Sequence, residues 1–195
     1  MTNNSMDKAF IADKKFKNID FRKESLAKGD YENCTFQGCN FSEGYLDNQN
    51  FMECHFLDCN LSNTNLSHTT FKEVDFEGCK LIGLKFEDCN DLLMSFKFEH
   101  CTLNLSSFYG LKINGVVFNS CKLIGTDFTE TDLTAATFMD CDLQNAIFNA
   151  SILELTDFTT AINLQIDPEM NRLKKARFSA ENIQGLLLKY DIKIE

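Results

Sequence analysis

The sequence predicts an all-β fold, a quadrilateral β-helix closed by a short C-terminal α-helical cap. Three observations carry that prediction. A large apolar residue recurs every five positions, a small residue precedes most of them by two, and the character of the large residue repeats every 20.

Stepping by five from Ile11 through Phe16 and Phe21 to Phe86, then from Leu93 through Phe98 to Phe158, meets 30 positions, all of them apolar. They take in 16 of the 19 phenylalanines, in a chain that is only 44% apolar, so this is a true period and not composition. Small residues such as Cys34, Cys39, Thr64, Thr126 and Cys141 stand two before the large ones; Gln49, Leu84, Phe96 and Leu111 are exceptions. Residues two apart on an extended chain face the same way, so small and large members both point inward. A continuous strand would reverse faces at the next unit because five is odd, and a helix would scatter the period around its surface. The last two residues of each unit must therefore turn a corner. Phe16, Phe36, Phe56, Phe76, Phe98, Phe118, Phe138 and Phe158 form one phenylalanine column, so four units complete one square turn. A two-residue slip near 88–95 leaves the columns in phase, which predicts a small outward bulge in one coil.

Residues 1–10 are expected to form an N-terminal cap, 11–163 the coil, and 164–195 a capping and dimerisation segment. About 7.5 coils at ~4.8 Å each give a rod of roughly 36 Å. Open ends are the weak points of such a stack. Asp167-Pro168 has the form of an N-cap followed by proline at the first helical position, and Ser179 could cap a second helix. On that helix Ile183, Leu186, Leu187 and Tyr190 make one apolar stripe, which closes the coil or pairs two chains.

Catalytic and metal chemistry find little support. Each of the nine cysteines falls at a small position of the repeat, and no C-x-x-C or H-E-x-x-H spacing occurs, so they are expected as buried free thiols and not as metal ligands. His55, His68 and His100 occupy outward positions without partners spaced for a triad. Phosphate loops and nucleophile elbows are absent from the sequence, and a coil filled with phenylalanine leaves no substrate cavity. A non-enzymatic protein without cofactor is the expectation.

Charge is more informative. The net charge is −10 and the pI about 4.8, which disfavours nucleic acid and anionic lipid as direct ligands. No apolar run is long enough to span a bilayer and Met1–Phe10 lacks a signal-like stretch, so a soluble cytoplasmic protein is expected. Residues 1–29 carry 7 basic and 4 acidic side chains, 30–160 carry 6 and 20, and 161–195 carry 6 and 5. The body is acidic and the ends are not. Its net −14 amounts to about one negative charge per 2.2 Å of rod, near the ~1.7 Å of duplex DNA. Asp58, Asp75, Glu77, Glu99 and Asp140 border the phenylalanine column; Asp47, Glu87, Asp88, Asp127 and Glu130 border the opposite face. Outward carboxylates can also serve simply to keep a repetitive rod soluble.

Units such as Cys39-Asn40-Phe41-Ser42, Thr64-Asn65-Leu66-Ser67, Thr126-Asp127-Phe128-Thr129 and Cys141-Asp142-Leu143-Gln144 resemble those of the pentapeptide repeat proteins, over about residues 11–163. The resemblance implies a right-handed coil. Acidic members of that family, among them the quinolone-resistance (Qnr-like) proteins, a gyrase inhibitor and toxin-immunity proteins, are DNA-mimicking dimers that bind type II topoisomerases. It implies that the ten carboxylates form a partner surface for DNA gyrase or topoisomerase IV. It also implies that Phe178, Ile183, Leu186, Leu187 and Tyr190 join a homodimer. Where quinolone-resistance members carry two long loops, this sequence has only the bulge, which favours occupying a DNA-binding groove over dislodging a drug. The alternative of a different class is an interaction scaffold or regulatory adaptor unrelated to DNA.

Overall fold

The computed structural model describes residues 8–193; most of the expected N-terminal cap, and Ile194 of the terminal segment, lie outside the described residues. The chain winds as a right-handed quadrilateral β-helix of about 7 turns. On the first face β1 (Ala9–Ala12), β3 (Gly29–Glu32), β5 (Asn50–Met52) and β7 (Thr70–Lys72) form a parallel sheet in that order. On the second, the phenylalanine face, β2 (Lys15–Lys17), β4 (Thr35–Gln37), β6 (His55–Leu57), β8 (Val74–Glu77), β9 (Phe96–Glu99), β10 (Val117–Asn119) and β11 (Thr137–Met139) stack consecutively. The third and fourth faces are joined by single parallel bridges such as Asn40 to Asn60 and Ser107 to Asp127.

The corners follow from the odd period. The residue two after nearly every large one adopts left-handed backbone, with φ from +50 at Asn33 to +71 at Gly115. Its N–H donates to a carbonyl of the next coil, as Asn18 does to Gln37 and Glu130 to Asn149. Asparagine, aspartate and glycine are frequent there because they tolerate that conformation best.

Inside, aromatic rings stack from coil to coil, Phe16 on Phe36 at 4.7 Å, Phe36 on Phe56 at 4.8 Å and Phe98 on Phe118 at 5.1 Å, with edge contacts from neighbouring faces. The small residues do more than fill space. Thr64 donates its hydroxyl to the carbonyl of Phe41 one coil back (2.9 Å) and Thr131 to that of Phe108 (2.8 Å). Cys59 and Cys79 donate their thiols in the same way to Phe36 (3.3 Å) and Phe56 (3.2 Å). Threonine and cysteine interchange in the repeat because both supply a donor to a buried carbonyl.

Two features depart from the period. The strand register steps by 20 as far as Thr70–Asn90, by 22 from Val74–Phe96 to Lys85–Ser107, and by 20 again from Lys97–Val117, so the slip is a bulge in one coil as expected, but Leu93 does not point inward. It is 66% exposed in left-handed backbone, and Leu92 beside it is 75% exposed. Phe96, a misfit at a small position, is buried instead. Its ring lies 5.3 Å from that of Phe86 and 5.7 Å from that of Phe71, filling the corner that the bulge vacates. Backbone forced outward cannot deliver its own side chain to the core, so a neighbour does.

The second departure is the C-terminus. Among the described residues no α-helix forms there: Asp167–Met170 is a turn, and coil pairing continues through Ile152–Arg172 and Asp157–Arg177. Ser179 accepts the Asn182 N–H and closes a turn instead of capping a helix, and the following segment folds as two 3-10 helices, Ile183–Leu186, whose N-cap is Asn182, and Leu188–Tyr190. Gly185 is the reason. The Ile166 N–H donates to its carbonyl, and a Cβ at 185 would overlap the Leu164 carbonyl, so this backbone is drawn onto the coil end instead of into an α-helix.

Candidate functional site

The repeat places every outward side chain on a stack with a spacing of about 4.8 Å, and the candidate surface is built from these stacks. On the second face His55, Asp75 and Lys97 lie in register, as do Leu57, Glu77 and Glu99. Asp75, Glu77 and Glu99 are therefore brought together, but beside one lysine and two imidazoles: Asp75 lies 3.4 Å from His55 and Glu99 lies 3.7 Å from Lys97 and 3.9 Å from His100. Asp58 and Asp140 occupy the left-handed corner beyond this face. Four coils separate them, about 19 Å.

On the fourth face Asp47 is held by Lys28 at 2.7 Å, and that hydrogen bond keeps its carboxyl below the ordinary carboxylate range. Asp127 accepts the N–H of Thr129 (2.8 Å), the same turn bond that Asp132 makes to Thr134 and Asn60 to Ser62. Asp127 is thus first a corner residue of the repeat. Glu87 keeps one carboxylate oxygen buried without a hydrogen-bond partner. The charge of Glu130 raises the phenol of Tyr109 above its ordinary value. Among the described residues Asp58, Glu77, Glu87, Asp88, Asp127, Glu130 and Asp140 make no ion pair.

The structure adds a surface that the selection of two faces overlooked. The first face carries Asp30, Glu32, Asp132 and Glu154, with Glu53 and Glu73 on adjoining corners. The 20-residue step applied to every outward position would have found it. By contrast the third face starts at Asp20, which pairs with Arg22 and Lys23, and stacks Asn40, Asn60, Lys80, Thr102 and Lys122 before reaching Asp142. Acidity belongs to three faces, not to the whole circumference. A cleft of about 460 Å³ beside the bulge lies between Glu53, Glu73, Asp75 and Lys97, and another of about 600 Å³ near the C-terminal end is lined mainly by amides and hydroxyls, including Gln144, Asn163 and Gln184.

The nine cysteines are free and buried. Burial pushes the Cys54 thiol up to about 12 and raises Cys89, so both stay neutral. Among the described residues no group of three or more His, Cys, Asp or Glu side chains is placed to hold a metal ion, and no helix is long and apolar enough to cross a membrane.

At the C-terminal end Phe178 stacks on Phe158 at 5.5 Å and Leu186 packs on the core, while Leu187 is partly buried and Ile183 and Tyr190 are exposed. The Asn182 amide donates to the Phe158 and Ala161 carbonyls (2.6 and 3.0 Å). Lys189 binds Asp167 and Glu169, and Tyr190 donates to Glu169. The stripe residues thus divide, some plugging the coil and some facing outward.

Parallel coils with a square section, five-residue units and rows of surface side chains define a class of quadrilateral β-solenoid. Residues 29–108 and 92–188 match the pentapeptide repeat region, and the chain belongs to that family. No curated protein matches it. Among solved structures it is similar to HetL, a pentapeptide repeat protein involved in heterocyst differentiation regulation from the cyanobacterium Nostoc sp., with TM-score 0.65 and 16% identity over 87% of this chain and 86% of that one. It is also similar to a trypsin-treated form of QnrB1, described as a plasmid-mediated fluoroquinolone resistance protein, with TM-score 0.64 and 16% identity over 100% of this chain and 95% of that one. At these identities the likeness concerns the fold.

Proposed function

We propose that this protein is a non-catalytic, DNA-mimicking rod that binds the basic DNA-binding surface of a type II topoisomerase, DNA gyrase or topoisomerase IV. The observation that carries the proposal is the set of carboxylates free of ion pairs, Glu77, Asp88, Glu130 and Asp140 among them, borne on a repeat with the pitch of a β-stack. Net −14 over residues 30–160 matches the linear charge of duplex DNA to within about a third. The outward-facing Ile183 and Tyr190, with Leu187 at their edge, support a homodimer joined end to end, and neutral buried thiols suit a reducing cytoplasm. Quinolone or toxin resistance would then follow from the occupied enzyme.

Supercoiling by purified gyrase, with and without a quinolone, is the test. Inhibition at micromolar protein that weakens with salt is expected, and lysine at Asp75, Glu77 and Glu99 should abolish it. No inhibition, or inhibition indifferent to salt, removes topoisomerase binding from the account. The third face supports a second reading, because its amides and lysines carry none of the acidity that mimicry needs. A scaffold or adaptor would use that face, and the three charge reversals on the second face would leave its partner bound.

A further inference from the structure

The first coil differs from those that follow. β1 and β2 are the outermost strands of their sheets, each paired on one side only among the described residues. In later coils the residue before a large one donates its N–H to the preceding coil, as Thr35 does to Lys14 and Asn40 to Ile19. The residue after it accepts from the preceding coil, as Gln37 does from Asn18. By the same repeat, the N–H of Lys15 and the carbonyl of Lys17 point out of the open end. Among the described residues nothing covers the aromatic stack there either. Phe16 and Phe21 are half-buried where Phe36 and Phe41 are buried.

Lysine crowds this rim. Lys8, Lys14, Lys15 and Lys17 are exposed and make no ion pair among the described residues. Lys14 stands at the position of Cys34 and Cys54 in later coils, both buried, and is itself exposed, because among the described residues no coil precedes it.

We infer that this end is a docking edge for an extended acidic segment of a partner protein, which adds a rung beside β1 or β2 through its backbone and sets its carboxylates against the lysines. A second copy of the chain fits less well. Its flanks have their backbone groups committed between coils, its C-terminal end is closed by the 3-10 segment, and a second N-terminal rim, net +3 over residues 1–29, would be repelled by the first. This edge is independent of the carboxylates assigned above to a topoisomerase, and its readout is not supercoiling.

The probe is a short fluorescently labelled peptide of alternating Glu and Val, with a Lys-Val peptide as control, titrated into the full chain at physiological salt. Saturable binding of the acidic peptide alone is expected, weakened about tenfold by K15E/K17E. Amide exchange should slow over residues 9–20 and not on the flanks. Equal binding of both peptides, binding unchanged by K15E/K17E in a chain that melts normally, or protection on the flanks would overturn the inference. So would self-association abolished by the same substitutions, which makes a second copy the occupant. Binding seen only after removal of residues 1–7 would overturn it too, by giving the edge to the start of the chain itself.

Discussion

Phe96→Ala is expected to cost about 3 to 4 kcal/mol of stability and Leu93→Ala less than about 0.5 kcal/mol, the reverse of what the five-residue period alone would assign. Phe96 is 8% exposed, and its ring lies 5.3 Å from Phe86, 5.5 Å from Phe98, 5.7 Å from Phe71 and 6.4 Å from Phe76. Removing it withdraws roughly 150 Å² of apolar surface, which at ~25 cal/mol per Å² is about 4 kcal/mol. The adjacent bulge can close part of the void, which places the cost toward the lower half of the ~3–5 kcal/mol typical of Phe→Ala. Leu93, 66% exposed, loses little that was buried. Urea unfolding followed by circular dichroism measures both variants, and because coils touch only their neighbours, the Phe96 variant should also unfold less cooperatively. A Leu93 variant as damaged as the Phe96 variant would refute the assignment of Phe96 as the residue that fills the corner.

Thr131→Val keeps the shape but removes the donor to the Phe108 carbonyl, and should cost about 1 kcal/mol in chemical denaturation, whereas Thr131→Cys, which restores a donor, should cost less. Asn182→Ala deprives the Phe158 and Ala161 carbonyls of their amide; about 2 kcal/mol and faster amide exchange in residues 164–178 are expected, with exchange in the central coils unchanged. Thiols raised by folding stabilise below their ordinary value of 9.0 and lose that contribution as pH rises toward their folded values. Cys101, raised to about 12 by the neighbouring Cys121 thiol and by burial, and Cys54 belong to this group, so the melting temperature should fall as pH climbs past 9.0, and a flat profile would contradict it. At the other end of the scale, the hydrogen bonds of Lys189 hold Asp167 and Glu169 below their ordinary carboxylate values. Their stabilisation is present above those values and lost as pH falls through the folded ones. Amide protection of residues 183–190 should accordingly disappear below about pH 4 before the coil itself unfolds.

The coil was legible because a solenoid reduces folding to nearest-neighbour arithmetic: what Phe36 touches is set by adding or subtracting 20, so Phe56 and Phe16 follow without coordinates. The same arithmetic put Asp75, Glu77 and Glu99 on one face. It did not show that Lys97 and the two histidines sit among them, since pairing depends on side-chain direction as well as register. Nor did it separate Asp127, committed to its corner, from Asp58, which makes no side-chain hydrogen bond or ion pair among the described residues.

The square section, the phenylalanine column, the place of the slip and the acidic body with its basic ends can be read from the residues alone, since all follow from a period that each unit repeats. That Phe96 replaces Leu93 in the core, that thiols and hydroxyls donate one coil back, and that 3-10 helices are drawn against Leu164 and Phe158 emerge from the packing of the coils. Those outcomes arise where the repeat is broken or stops. There a residue's environment is set by backbone that has left the period, and the free energy of filling a void or satisfying a carbonyl chooses among neighbours that the spacing cannot rank.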